Sequence, residues 1–129
     1  TNYKQLRTDA INCDRYNMLN PDQKKKESYL EKTLKKETGV YVAVSDNMRI
    51  VPDQISKWVP GGLFTLGTDG FGRSDTREQL RRFFEIDKES ICIACLYQLA
   101  LNKEIKMATV KKAIKDLGID PKKSFPEFI

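Results

Sequence analysis

An α/β fold is predicted by three features of this 129-residue sequence. Two apolar runs have strand length, residues 40–44 (VYVAV) and 63–66 (LFTL). Segments with helical spacing lie before, between and after them. Each run gives way to a small residue and an aspartate, Ser45-Asp46 in one case and Gly67-Thr68-Asp69 in the other. Apolar runs without polar alternation describe strands buried on both faces, as parallel strands are.

The elements follow in order. Residues 3–11 carry Tyr3, Leu6, Ala10 and Ile11 at helical spacing and predict a short helix. Asn20-Pro21, with Gln23 three residues past the cap, predicts a second helix from Pro21 to about Glu37, stopped at Gly39. The first strand is then 40–44. Asp46 is placed to cap a helix through residues 47–58, divided near Val51 because Pro52 lacks a backbone donor. VPGG (59–62) is a turn and 63–66 the second strand. Asp75 with Glu78 starts a helix whose stripe is Leu80, Phe83 and Phe84. Asp87 caps the next, apolar nearly all round between Ile91 and Leu96 and so expected to be central and buried. A last helix covers about 107–117, before Gly118 and an irregular tail.

Length predicts one domain over residues 1–129. With 40% apolar and 32% charged residues, the composition belongs to globular proteins. The net charge of +5 is dispersed. Lys24, Lys25 and Lys26 are followed by glutamates at helical spacing, which predicts a solvated face with pairs such as Glu31 with Lys35. That run holds only Tyr29 for stacking, so nucleic acid is not an expected partner. No run is long enough for a membrane helix, and no signal sequence is seen, so the expected location is the cytoplasm. Three cysteines fit a reducing compartment.

Two short parallel strands do not make a stable sheet alone. Either the domain is helical with two buried extended segments, or further strands lie outside the sequence.

The stretch LGTDGFGRSDTRE (66–78) raises the main functional question. Gly67, Gly70 and Gly72 could turn backbone amides toward a phosphate, and Arg73, Arg77 and Arg81 fall at four-residue intervals that could face an anion together. No Gly-Lys-Ser/Thr follows, so this is not a nucleotide P-loop. The competing account makes the glycines a turn with positive φ, and pairs the arginines with Asp69, Asp75, Glu78 and Glu85. Asp46 and Asp69 would flank the edge of an open sheet where ligands bind, or would simply cap a helix or close a turn. Cys92 and Cys95 form a CxxC about a turn inside an apolar helix, where buried small hydrophobes are expected rather than a redox pair. Without histidine there is no Ser-His-Asp triad, and a cysteine nucleophile lacks its usual base.

Residues 51–87, VPDQISKWVPGGLFTLGTDGFGRSDTREQLRRFFEID, closely resemble the C-terminal domain of homodimeric pyruvate dehydrogenases. DRYNMLNP (14–21) resembles that family's RWNxLHP, AVSDNM (43–48) its ASDYM, and VKKAIKDLGID (110–120) its close. Tyr16, Asn20 and Asn47 replace the family's Trp, His and Tyr. The resemblance implies a three-layer α/β/α transketolase C-terminal-like domain with a small, mostly parallel sheet, truncated on its N-terminal side. It implies a parent that oxidatively decarboxylates pyruvate on thiamine diphosphate with magnesium and acetylates the lipoyl group of a dihydrolipoyl acetyltransferase. The cofactor-holding residues of that family lie in earlier domains, so no catalytic, cofactor or metal residue is inherited here, and this segment alone is expected to be inactive. The positions Gly67, Asp69, Gly70, Gly72, Arg73, Asp75 and Arg77 inherit a turn and a charged helix start that would set the domain against the catalytic domains of the same enzyme. A homodimer partner is also implied. The competing expectation is a free-standing basic module that binds an acidic protein or an anion.

Overall fold

The structure, a computed structural model, describes residues 1–129. Six α-helices and two strands follow in the order α1 (Tyr3–Leu19), α2 (Tyr29–Leu34), β1 (Val42–Val44), α3 (Ile50–Asp53), β2 (Phe64–Leu66), α4 (Arg77–Phe83), α5 (Lys88–Leu101) and α6 (Met107–Asp116). Single 3₁₀ turns occur at Ser56–Trp58 and Pro126–Phe128.

The two apolar runs are neighbouring parallel strands, with Val42 opposite Phe64, Ala43 opposite Thr65 and Val44 opposite Leu66. Side-chain alternation along β2 sends Phe64 and Leu66 toward Ile93, Ala94 and Tyr97 of α5. Thr65 faces the other way and donates to Asp53 Oδ1 of α3 at 2.6 Å. Helices therefore cover both faces of the pair, giving the three-layer α/β/α arrangement. Beyond α3, Leu30, Ile55 and Val59 form a small core with Tyr3, Leu6, Leu34, Tyr41, Trp58 and Leu63 packed around it. On the opposite side α5 rests on the sheet and α6 on α5.

Several elements depart from the sequence expectation. α1 continues to Leu19 instead of ending at Ile11. Cys13 extends the Leu6–Ala10 stripe by another turn, and Asp14 accepts from Trp58 Nε1 and Lys57 Nζ, both at 3.0 Å, so its polar second half is held by packing and polar contacts. Asn20 ends α1 rather than opening α2, its N–H donating to the Tyr16 carbonyl. The real start of α2 is the capping box of Ser28 and Glu31. Ser28 Oγ accepts from the Glu31 N–H at 3.2 Å, and Glu31 Oε2 accepts from the Ser28 N–H at 2.9 Å. Lys24–Lys26 are thus in an irregular segment, and Lys35 pairs with Glu27 at 2.8 Å rather than with Glu31. The expected 47–58 helix becomes α3 and a 3₁₀ turn, with Pro52 in the first turn of α3, where no N–H is required. α4 is capped by Thr76, which accepts from Gln79, rather than by Asp75. Asp87 does cap α5. That helix is not the buried centre its sequence suggested: only Ala94 and Ala100 are buried, and Cys92 is exposed rather than a packed small hydrophobe. No helix is long and apolar enough to cross a membrane.

Candidate functional site

Beyond the carboxyl ends of β1 and β2, the loops 45–49 and 67–70 run side by side. The Ser45 N–H donates to the Leu66 carbonyl, and the Thr68 N–H to the Asn47 carbonyl, each at 3.0 Å. Thr68 Oγ1 donates to the Asp46 carbonyl at 2.8 Å. Asp69 completes the joint. Its Oδ1 accepts from the Arg49 N–H at 3.1 Å, and its Oδ2 lies 3.0 Å from Arg49 Nε, a contact between charges rather than an aligned hydrogen bond. The guanidinium of Arg49 lies over the ring of Phe125, 5.0 Å from its centre, so the C-terminal tail is tied to the same latch.

The glycines of this joint have different roles. Gly67 has no positive φ. It is required by close approach, because a Cβ there would lie 2.5 Å from the Asn47 carbonyl oxygen and 2.8 Å from the Arg49 nitrogen. Gly70 has φ +99°, and a Cβ on it would lie 3.1 Å from both Glu127 Cα and the Pro126 carbonyl oxygen. Gly72 has neither a positive φ nor a neighbour, so the turn account fails at that position.

Arg73, Asp75 and Arg77 lie on the exposed side of the joint. Arg73 precedes α4, so it does not share a helical face with Arg77 and Arg81; instead its guanidinium stacks 4.1 Å from the centre of the Phe83 ring. Asp75 accepts from the Thr76 N–H at 2.7 Å. None of the ion pairs expected for Arg73, Arg77 and Arg81 forms; Arg82 is the arginine of α4 that pairs, with Asp87 at 2.9 Å. Arg82 also donates to the Gly118 carbonyl, and Lys123 from the tail donates to the Phe83 carbonyl and pairs with Glu85. Burial pushes the Asp87 carboxyl up, but hydrogen bonds from Ser90 and Arg82 outweigh it and hold the group below the ordinary carboxylate range.

Between the end of β1 and the starts of α4 and α5 lies an open groove of about 940 Å³. Its cations Arg77, Arg81, Arg82 and Lys88 are balanced by Asp46, Glu78, Asp87 and Glu89. Asp46 and Asp69 do not act as a carboxylate pair, since Asp69 is committed to Arg49 while Asp46 faces this groove. Nowhere do three His, Cys, Asp or Glu side chains converge as a metal site needs. Sequence reasoning missed Arg49 and Phe125. The only signal was an arginine three residues past Asp46, which becomes informative once the loops are paired.

A parallel strand pair covered by helices on both faces, with its loops latched beyond the carboxyl ends, defines a layered α/β domain. The chain belongs to the transketolase-like C-terminal domain family, whose description matches residues 2–87. It is 43% identical over 125 residues to the pyruvate dehydrogenase E1 component of Pseudomonas aeruginosa, covering 96% of this chain. Identity to the E1 components of Mycobacterium tuberculosis and Escherichia coli is 40% and 37%, each over 127 residues and 98% of this chain. The chain spans only 14% of the length of each of these relatives.

Proposed function

We propose that this chain is the C-terminal, organising domain of a pyruvate dehydrogenase E1 component. Identity of 43% over 96% of the chain carries that reading, since it extends past the family match at residue 87 through α5, α6 and the tail. The parent decarboxylates pyruvate on thiamine diphosphate with magnesium held by its other domains, and passes the acetyl group to the lipoyl group of an acetyltransferase. It works as a homodimer in the cytoplasm. This segment supplies no reacting group; it supplies a rigid joint, Gly67–Asp69–Arg49–Phe125, and a charged helix start beside it. An anion-binding module is the weaker reading, because the groove cations face an equal set of acids. Sequencing the reading frame upstream of Thr1 and assaying its product for pyruvate-dependent ferricyanide reduction tests the proposal. Thiamine-binding domains and cofactor-dependent turnover are the expected result, and a start codon close to Thr1 would refute it.

A further inference from the structure

Cys92 and Cys95 both lie inside α5, with a full turn of helix before them and more than a turn after. The helix is pinned at its first turn, where Asp87 Oδ1 accepts from the Ser90 N–H at 3.0 Å, and along its length, where α6 packs on it. Residues three apart on a helix are neighbours on one face, so backbone that is already formed presents the two thiols side by side. They belong to the open part of the circumference of α5: Cys92 is exposed and Cys95 half-buried. Leu96 and Leu99, each one turn beyond a cysteine on the same face, are half-buried as well. Two free thiols that are fixed, adjacent and reachable from water make a donor pair that no other contact of the fold uses.

The spacing decides what such a pair can hold. Neighbouring Cβ atoms on a helix stand about 5–6 Å apart. A disulfide needs about 3.5–4.5 Å between them, so closing that bond would unwind the turn. One metal ion between two sulfurs sets the sulfurs about twice a metal–thiolate bond apart, roughly 4.6 Å at ~2.3 Å per bond, which a helical turn accommodates. Zinc is excluded by count, because no third Cys, His, Asp or Glu side chain joins the pair and a structural zinc site takes four donors. Calcium and magnesium take oxygen donors. A soft monovalent ion satisfied by two thiolates remains, and thiolates select copper(I). We propose that Cys92 and Cys95 form a two-coordinate site for copper(I). Binding releases the two thiol protons to water and leaves the oxidation state of the metal unchanged, so no oxidant or reductant takes part. The site stands on α5 alone and does not rest on the parent proposed above.

The test is alkylation of the intact native polypeptide without oxygen, read at each cysteine. Copper(I) is supplied as its acetonitrile complex at one equivalent, iodoacetamide is applied briefly, and trypsin then releases residues 89–103, which hold these two cysteines and no other. Copper(I) should slow alkylation of both thiols at least about tenfold, because the second thiolate closes on an ion already held by the first. Excess bathocuproine disulfonate should restore the copper-free rate. Cys95→Ser should abolish the protection of Cys92, and Cys92→Ser, at an exposed position, that of Cys95. Cys95→Ser with Tyr97→Cys should also abolish it: position 97 is 41% exposed but lies about 140° round the helix from Cys92. Cys13, on α1, should alkylate at one rate with and without the ion. Equal alkylation of Cys92 and Cys95 in both conditions would overturn the site. So would undiminished protection of Cys92 in Cys95→Ser, the mark of a single adventitious thiol. A peptide that alkylates only after reduction, before any copper(I) is added, would show a disulfide and overturn the spacing argument.

Discussion

Replacing Gly67 with alanine probes the joint most directly. The added methyl would fall 2.5 Å from the Asn47 carbonyl oxygen and 2.8 Å from the Arg49 nitrogen, both backbone atoms in a paired loop. Neither can turn away as a flexible side chain could, so the loops must separate by about 0.5–1 Å to restore ordinary contact. The bonds in the path are the one from Thr68 N–H to the Asn47 carbonyl and the one from Arg49 N–H to Asp69. Overpacking of this kind costs about 1–3 kcal/mol, and each weakened hydrogen bond about 1 kcal/mol more. The expected loss is about 3–5 kcal/mol, a large part of the stability of an ordinary domain. Gly72→Ala is the control: with no positive φ and no neighbouring atom, it should be neutral or gain up to about 1 kcal/mol through a stiffer unfolded chain. Equilibrium urea unfolding, followed by the fluorescence of Trp58, the only tryptophan of the chain, gives both values. A Gly67→Ala loss under about 1 kcal/mol, or an equal loss at Gly72, would refute close approach as the reason for glycine at position 67.

Three further outcomes follow from the same geometry. Ser28→Ala should cost about 1–2 kcal/mol in the same melts, because it removes a fully buried cap that donates to and accepts from Glu31. Asp87→Asn keeps an acceptor for the Ser90 N–H but loses the charge beside Arg82. Because the folded Asp87 pKa is depressed, its contribution is complete above the unfolded value near 4 and disappears as pH falls through the lower folded value, so the variant should unfold less steeply with acid in melts between pH 5 and 2. In native protein, iodoacetamide should modify exposed Cys92 before Cys13, whose thiol is pushed up by burial and by Asp9 and Glu31; peptide mass spectrometry that finds Cys13 modified first would contradict the burial described.

The strands were legible because short, mostly apolar runs, with Thr65 their one polar member, have few alternatives, and their pairing needed only that the intervening segment fold back across one face. The caps at Asp87 and the end of α6 were legible for a local reason, a side chain or glycine acting on its own helix. α2 was misread although its signal was present: Ser28-Tyr-Leu-Glu31 is a capping box, and Asn20-Pro21 masked it because the same residue types also end helices. The exposure of Cys92 was not legible. A helix apolar nearly all round implies burial, and here its covering consists of a two-stranded sheet and one helix, which leave part of its circumference open.

The joint shows why a motif can be recognised in a sequence while its parts remain unassigned. In LGTDGFGRSDTRE, Gly67, Asp69 and Gly70 are fixed by backbone partners distant in sequence, so no local pattern distinguishes them from Gly72. Their contacts are complete within the chain. Phe71, Arg73 and Arg77 differ in kind: they are exposed, and the arginines lack ion-pair partners. A substitution in the first group should therefore appear in unfolding, and one in the second should appear only in the presence of whatever the surface meets. If Phe71→Ser lowered the midpoint of urea unfolding as far as Gly67→Ala, the division between the two groups would be wrong, and the whole stretch would be structural.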